Sequence, residues 1–115
     1  MTAEAALVGV GGALGAVARY AVGQLIDGAA FPWPTLLVNA AGSFLLSAVV
    51  LGSADAAVAS LVGTGFCGAF TTFSSFSFET VELWERGRRR LAALNATGNL
   101  AASLAAFGFA WVVVA

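Results

Sequence analysis

The spacing of the charged residues constrains this chain more than any other feature. Arg19 apart, nothing charged lies between Glu4 and Asp27. The stretches from Asp27 to Asp55, from Asp55 to Glu79 and from Arg90 onward are also uncharged inside. Each run is about the 20 residues that cross a bilayer as a helix. Four spans result, at 5–26, 33–52, 56–78 and 91–114, joined by the short connections "DGAAFP", "SAD" and "ELWERGRRR". The expected fold is an all-α integral membrane protein, a single four-span domain covering 1–115 in the cell membrane. No signal peptide is expected before the first span, since neither a basic start nor a small-residue cleavage site is present. Composition agrees. Only 10% of the 115 residues are charged, and mean hydropathy is +0.93. Ordinary soluble domains carry about a quarter charged residues, and a chain this short has much surface to keep dissolved.

Counting removes several chemistries. There is no histidine, hence neither the usual general base nor the usual zinc ligand. The single cysteine, Cys67, cannot form an internal disulfide or a two-thiolate metal site, and reads as a small buried apolar residue. "GVGGALG" at 9–15 fails the dinucleotide-loop spacing because Leu14 stands where a third glycine belongs. Gly11 and Gly15 instead form a GxxxG pair suited to close helix contact. No nucleophile–base pair can be assembled. An enzyme, an organic cofactor and a nucleic-acid partner are therefore not expected.

The uncharged polar groups at membrane depth remain to be explained. Span two carries Thr35, Asn39, Ser43 and Ser47 at intervals of four, on one helical face. Span four repeats the pattern with Asn95, Asn99 and Ser103. Span three interleaves Thr71, Thr72, Ser74, Ser75 and Ser77 with Phe70, Phe73 and Phe76 before ending at Glu79. Any one of these residues reads first as an interhelical hydrogen-bonding group. Two complete stripes and a hydroxyl-rich third span together read as a polar path through lipid.

Amides and hydroxyls can donate to an anion, and phenyl edges are positive while their faces are negative. Glu4, Asp27 and Asp55 lie at span ends, so Glu79 alone could argue for a cation within the path. The balance favours a small anion. Span three is also expected to be broken near 68–72, where Gly63, Gly65 and Gly68 precede two β-branched threonines. Carbonyls freed by such a break suit a cation, and irregular backbone at this depth must be buried or line a cavity.

At this point the residues resemble a known family. "GFCGAFTTFSSFSFE" is similar to the third-span motif of the Fluc (CrcB) fluoride channels, with "GGALGAVARY", "TLLVNAAGSF" and the "N…N…S" of span four matching the other spans. The resemblance covers essentially the whole chain. It implies a fluoride-selective channel that exports the ion passively, built as an inverted dual-topology dimer with two pathways and a structural Na+ at its centre. It further implies that Phe73, Phe76 and Asn39 line the pathway, with a hydroxyl track on Thr35, Ser74, Ser75 and Ser103. The carbonyls of Gly68 and Thr71 would hold Na+, and Arg19, Glu79 and Asn99 would be accessory. The chain departs from the family pattern at Ala69, where a second glycine is usual, and at Pro34, a position suited to a helix start. It departs also at Ser75, which keeps a hydroxyl in place of threonine, and at Asn99, where some members have an aromatic.

Two other readings compete for the same residues. A small multidrug-resistance exporter needs a carboxylate inside its first span, where this chain has Arg19. A non-transporting membrane scaffold would explain the small residues but not the stripes. Orientation is legible as well. Arg86, Arg88, Arg89 and Arg90 lie in the third connection and Arg19 lies toward the same face, while the opposite face has no Lys or Arg. Positive residues hold loops in the cytoplasm, so one fixed orientation is expected, with both termini outside. Anionic lipid binding is the alternative use of these arginines. A fixed orientation implies an inverted heterodimer with an oppositely biased paralogue rather than a homodimer.

Overall fold

The computed structural model describes residues 2–115, and the side chains from residue 3. Among the described residues there are helices and no strands. We label them α1 (Thr2–Leu25), α2 (Trp33–Leu51), α3 (residues 56–70), α4 (Ser74–Glu85) and α5 (Arg89–Val114). The four membrane-crossing segments are α1, α2, α3 with α4, and α5. Their ends fall within a few residues of the spans set by the charges, except that the third helix runs on to Glu85. Glu79, Glu82 and Glu85 thus ride on the helix rather than in a loop. Glu82 accepts a 3.3 Å ion pair from Arg86 one turn on.

Local chemistry explains the ends. Pro34 sits in the first turn of α2, where its missing N–H is no loss. Asp55 caps α3 by accepting from the Val58 N–H at 2.9 Å. Gly87 takes a φ of +79° and turns the chain between α4 and α5.

The molecule extends 47 × 30 × 22 Å, its long dimension exceeding a bilayer's hydrocarbon core of about 30 Å. Large apolar side chains face outward: Leu25 is 84% exposed and Val112 78%. The interior is small-residue packing around amides, with Val38, Cys67, Ala92, Asn95 and Ala110 buried. This inversion of the soluble pattern fits lipid as solvent. Cys67 occupies the buried position its isolation implies.

Helix α1 packs along α3, α2 lies against both α3 and α5, and α4 packs on α5. The α1–α3 contact depends on glycine. A Cβ on Gly11 would fall onto the Leu61 carbonyl, and one on Gly15 onto the Phe66 carbonyl. Opposite them, a Cβ on Gly65 would meet the Val8 carbonyl at 2.7 Å. The GxxxG pair is therefore a backbone-to-backbone contact. The carbonyls it meets lie on an unforeseen feature: residues Ala59–Cys67 wind as a π-helix. Such winding is uncommon and usually confined to one turn.

Candidate functional site

The interruption of the third span organises the site. Helix α3 closes where the Thr71 N–H and the Thr71 hydroxyl both donate to the Cys67 carbonyl, at 3.1 and 2.8 Å. Thr71 then turns extended, with ψ at 162°, and helical backbone resumes at Ser74. Gly68 itself is helical, so the break falls at the two threonines, within the range expected. Ala69 is also helical. The only non-glycine residue with positive φ among those described is Ser53, so alanine in place of a second glycine causes no strain.

Breaking a helix leaves terminal N–H and C=O groups unpaired, which lipid cannot satisfy. Two distant side chains meet part of that need. Arg19 Nε donates to the Ala69 carbonyl at 3.1 Å. Asn39 clips Thr72 from both sides: its Oδ1 accepts from the Thr72 N–H at 2.8 Å, and its Nδ2 donates to the Thr72 carbonyl at 3.1 Å. The Thr72 hydroxyl then accepts from the Ser75 N–H at 3.1 Å and caps the start of α4.

From Asn39 a chain of amides runs into α5. Its Nδ2 also donates to Asn99 Oδ1 at 2.9 Å. Asn99 Nδ2 donates to the Asn95 carbonyl at 2.8 Å and to Asn95 Oδ1 at 2.9 Å. Asn95 Nδ2 donates to the Thr80 hydroxyl at 2.8 Å, which donates to the Phe76 carbonyl at 2.8 Å. The direction of every link is fixed. Thr72 N–H can only donate, so Oδ1 of Asn39 must face it, and each later amide follows in turn. Asn95, absent from the expected site, is fully buried and completes this relay. Its place in the span-four stripe was the sequence signal for it.

Two clefts meet at the break. The smaller, of about 370 Å³, brings together Asn39, Thr72, Phe73, Phe76, Asn99 and Ser103. Phe73 and Phe76 stand 5.8 Å apart with their planes at 47°, and Phe73 is 78% exposed. The larger is lined by Arg19, Thr35, Thr72, Ser75, Glu79 and Arg86. One carboxylate oxygen of Glu79 is buried without a hydrogen-bond partner. Ser74 faces a separate surface hollow beside Ser75 and Glu79. The expected track is thus divided, with Thr72 as the residue common to both clefts. Gly68 is exposed on the outer surface of the protomer, where a Cβ would meet nothing within 4 Å.

A four-span bundle with lipid-facing apolar residues, an interrupted helix and polar clefts meeting at the interruption defines a multi-pass membrane protein of the cell membrane, of the transport kind. Residues 6–111 match the family model described as CrcB-like protein, Camphor Resistance (CrcB). The chain belongs to this family. It is similar to the Fluoride-specific ion channel FluC 2 of Haloarcula marismortui, 54% identical over 111 residues, or 96% of this chain and 93% of the relative. Natronomonas pharaonis has two relatives: FluC 2, 54% identical over 99 residues covering 86% of this chain and 84% of the relative, and FluC 1, 44% identical over 115 residues covering 96% and 88%. These relatives are named as ion channels, not as enzymes.

Proposed function

We propose that this protein is a fluoride channel through which the ion leaves the cell passively, relieving fluoride toxicity. The observation that carries the reading is one cleft, in a chain of this family, holding Asn39, Phe73, Phe76 and Ser103 beside the helix break. Fluoride is small and tightly hydrated, so a path must replace its water with donors and positive ring edges. The start of α4 adds to these. The Phe73 and Ser74 N–H groups have no hydrogen-bond partner among the described residues, and a helix N-terminus favours an anion. Thr35 and Ser75 line the larger cleft, and Ser74 lies just beyond it, continuing the hydroxyl track past Thr72. An exporter that works through a first-span carboxylate finds only Glu4, at the exposed start of α1. Purified protein in liposomes should release fluoride and retain chloride; absence of fluoride release from well-folded protein would end the reading.

The channel is an antiparallel pair with Na+ at its centre. The carbonyls of Gly68 and Thr71 accept no hydrogen bond among the described residues, and backbone oxygens are ligands suited to a hard cation. No group of three His, Cys, Asp or Glu side chains offers an alternative among the described residues. Two such carbonyls per protomer would need a second copy's pair to complete a site, which would tie the two protomers together.

The partner is an oppositely oriented paralogue. Arg19 and Arg86 line one cleft, and Arg88, Arg89 and Arg90 follow at the same end. All five basic residues thus gather at one end, which supports a cytoplasmic position for that end. The occurrence of two relatives in Natronomonas pharaonis agrees with pairing. Reporters active on opposite sides of the membrane, fused to the C-terminus, should give signal only outside. Comparable signals from both, with this chain expressed alone, would establish dual insertion and a homodimer instead.

A further inference from the structure

We infer that the turn between α4 and α5 binds the headgroup of an anionic phospholipid, held by Arg88, Arg89 and Arg90. From Glu85 to Arg90 the chain carries four arginines against one carboxylate. Among the described residues one ion pair forms, and it takes only Arg86, bound to Glu82. The three arginines that follow are exposed and have no carboxylate partner among the described residues. Their place adds to the cost of leaving them so. Arg88 stands just before α5, Arg89 and Arg90 open its first turn, and no acid accompanies them there. A helix start is the end that disfavours positive charge. The Arg89 and Arg90 N–H groups also have no acceptor among the described residues. An anion offsets both costs, and guanidinium groups bind phosphate through paired hydrogen bonds.

The apolar surface beside the arginines makes that anion a lipid. One span ends at Glu85 and the next begins at Arg89. Trp84 is 53% exposed, and the Arg89 guanidinium lies 4.8 Å from its ring centre. Exposed tryptophan marks the level of the headgroups, so the arginine stacked on it sits at that level too. Toward the membrane, Val81 shares a face of α4 with Trp84, and Leu94 shares a face of α5 with Arg90. Both are exposed. A ligand matching this surface has negative charge at one end and acyl chains at the other. A soluble phosphate would use the arginines alone.

The test uses Trp84 as its reporter. Protein in phosphatidylcholine bilayers is titrated with acyl-brominated phosphatidylglycerol or acyl-brominated phosphatidylcholine, whose bromines quench a neighbouring indole. The Trp84 signal is the difference between the wild type and Trp84→Phe, which leaves Trp33 and Trp111 in place. Half-maximal quenching should need about fivefold less of the anionic lipid, the scale of one basic residue's attraction to an anionic surface. In R88Q/R89Q/R90Q the two lipids should quench alike, while R88K/R89K/R90K, which keeps the charge, should retain most of the preference. Equal quenching by the two lipids in the wild type would overturn the inference. So would a preference that survives R88Q/R89Q/R90Q, or a lysine variant as indifferent as the glutamine one. Loss of the preference in millimolar sodium phosphate would also overturn it, because the arginines would then be taking a soluble anion.

Discussion

Replacing Asn39 by leucine isolates the clip, because leucine keeps the branching at Cγ and removes every polar atom. Three hydrogen bonds disappear: those to the Thr72 carbonyl, from the Thr72 N–H and to Asn99 Oδ1. Interhelical hydrogen bonds in membranes average about 0.6 kcal/mol each, so their loss alone sets a floor of about 2 kcal/mol. The groups left behind raise it. A buried donor without a partner costs about 1–3 kcal/mol, and the Thr72 N–H has no helical carbonyl to turn to. The expected loss of stability is about 2–5 kcal/mol, read as a shift in the SDS-unfolding transition of purified protein in mixed micelles, followed by the fluorescence of Trp33, Trp84 and Trp111. Asn39→Asp should lose less stability, since a carboxylate still accepts from the Thr72 N–H. It sets a second acceptor against the Thr72 carbonyl and Asn99 Oδ1, however, and should block fluoride flux. If Asn39→Leu unfolds at the wild-type SDS fraction, Asn39 does not hold the break and the reasoning fails.

Phe76→Ile keeps bulk but loses the ring quadrupole, so it should abolish fluoride efflux with the dimer intact; near-normal efflux would remove the rings from the path. Gly15→Leu drives side-chain atoms into the Phe66 carbonyl. Overpacking costs about 1–3 kcal/mol even where side chains can shift, so the yield of folded protein should collapse. Gly12→Ala, whose Cβ would sit 3.8 Å from the Gly65 carbonyl, should fold normally, and equal yields for the two would refute the contact. Gly68→Leu adds bulk where the protomer has open space, so the chain should fold while dimer assembly or flux is impaired; wild-type values of both would count against a site at Gly68.

The sequence disclosed most where chemistry is coarse. Charge spacing located the four spans because ions are costly in lipid wherever they lie. The break was legible because glycines followed by hydroxylated, β-branched residues weaken a helix over several positions. The π-helical winding of residues 59–67 was not. It differs from an α-helix by one residue in hydrogen-bond spacing, and Gly63, Gly65 and Cys67 would be equally at home in either. The polar stripes correctly put Asn39 with Ser43, and Asn99 with Ser103, on shared faces. They did not show that Asn39 would be spent on backbone, because spacing along one helix says nothing of a partner thirty-three residues away. The division of the track between two clefts was hidden for the same reason: it is set by how α4 leaves the break.

The unpaired groups at the break bear on assembly as well. Interrupting a helix at 71–73 strands the carbonyls of residues 68–71. The Ala69 carbonyl is taken by Arg19, reaching across from α1. Those of Gly68, Phe70 and Thr71 accept nothing among the described residues, and Gly68 lies on the outer surface. A carbonyl left without a partner costs several kcal/mol wherever it faces hydrocarbon. A stable protein must cover them. A hard cation shared with a second copy, as proposed above, would do so and would give two protomers a reason to associate. The same break would thus serve both the anion path and the pairing proposed above.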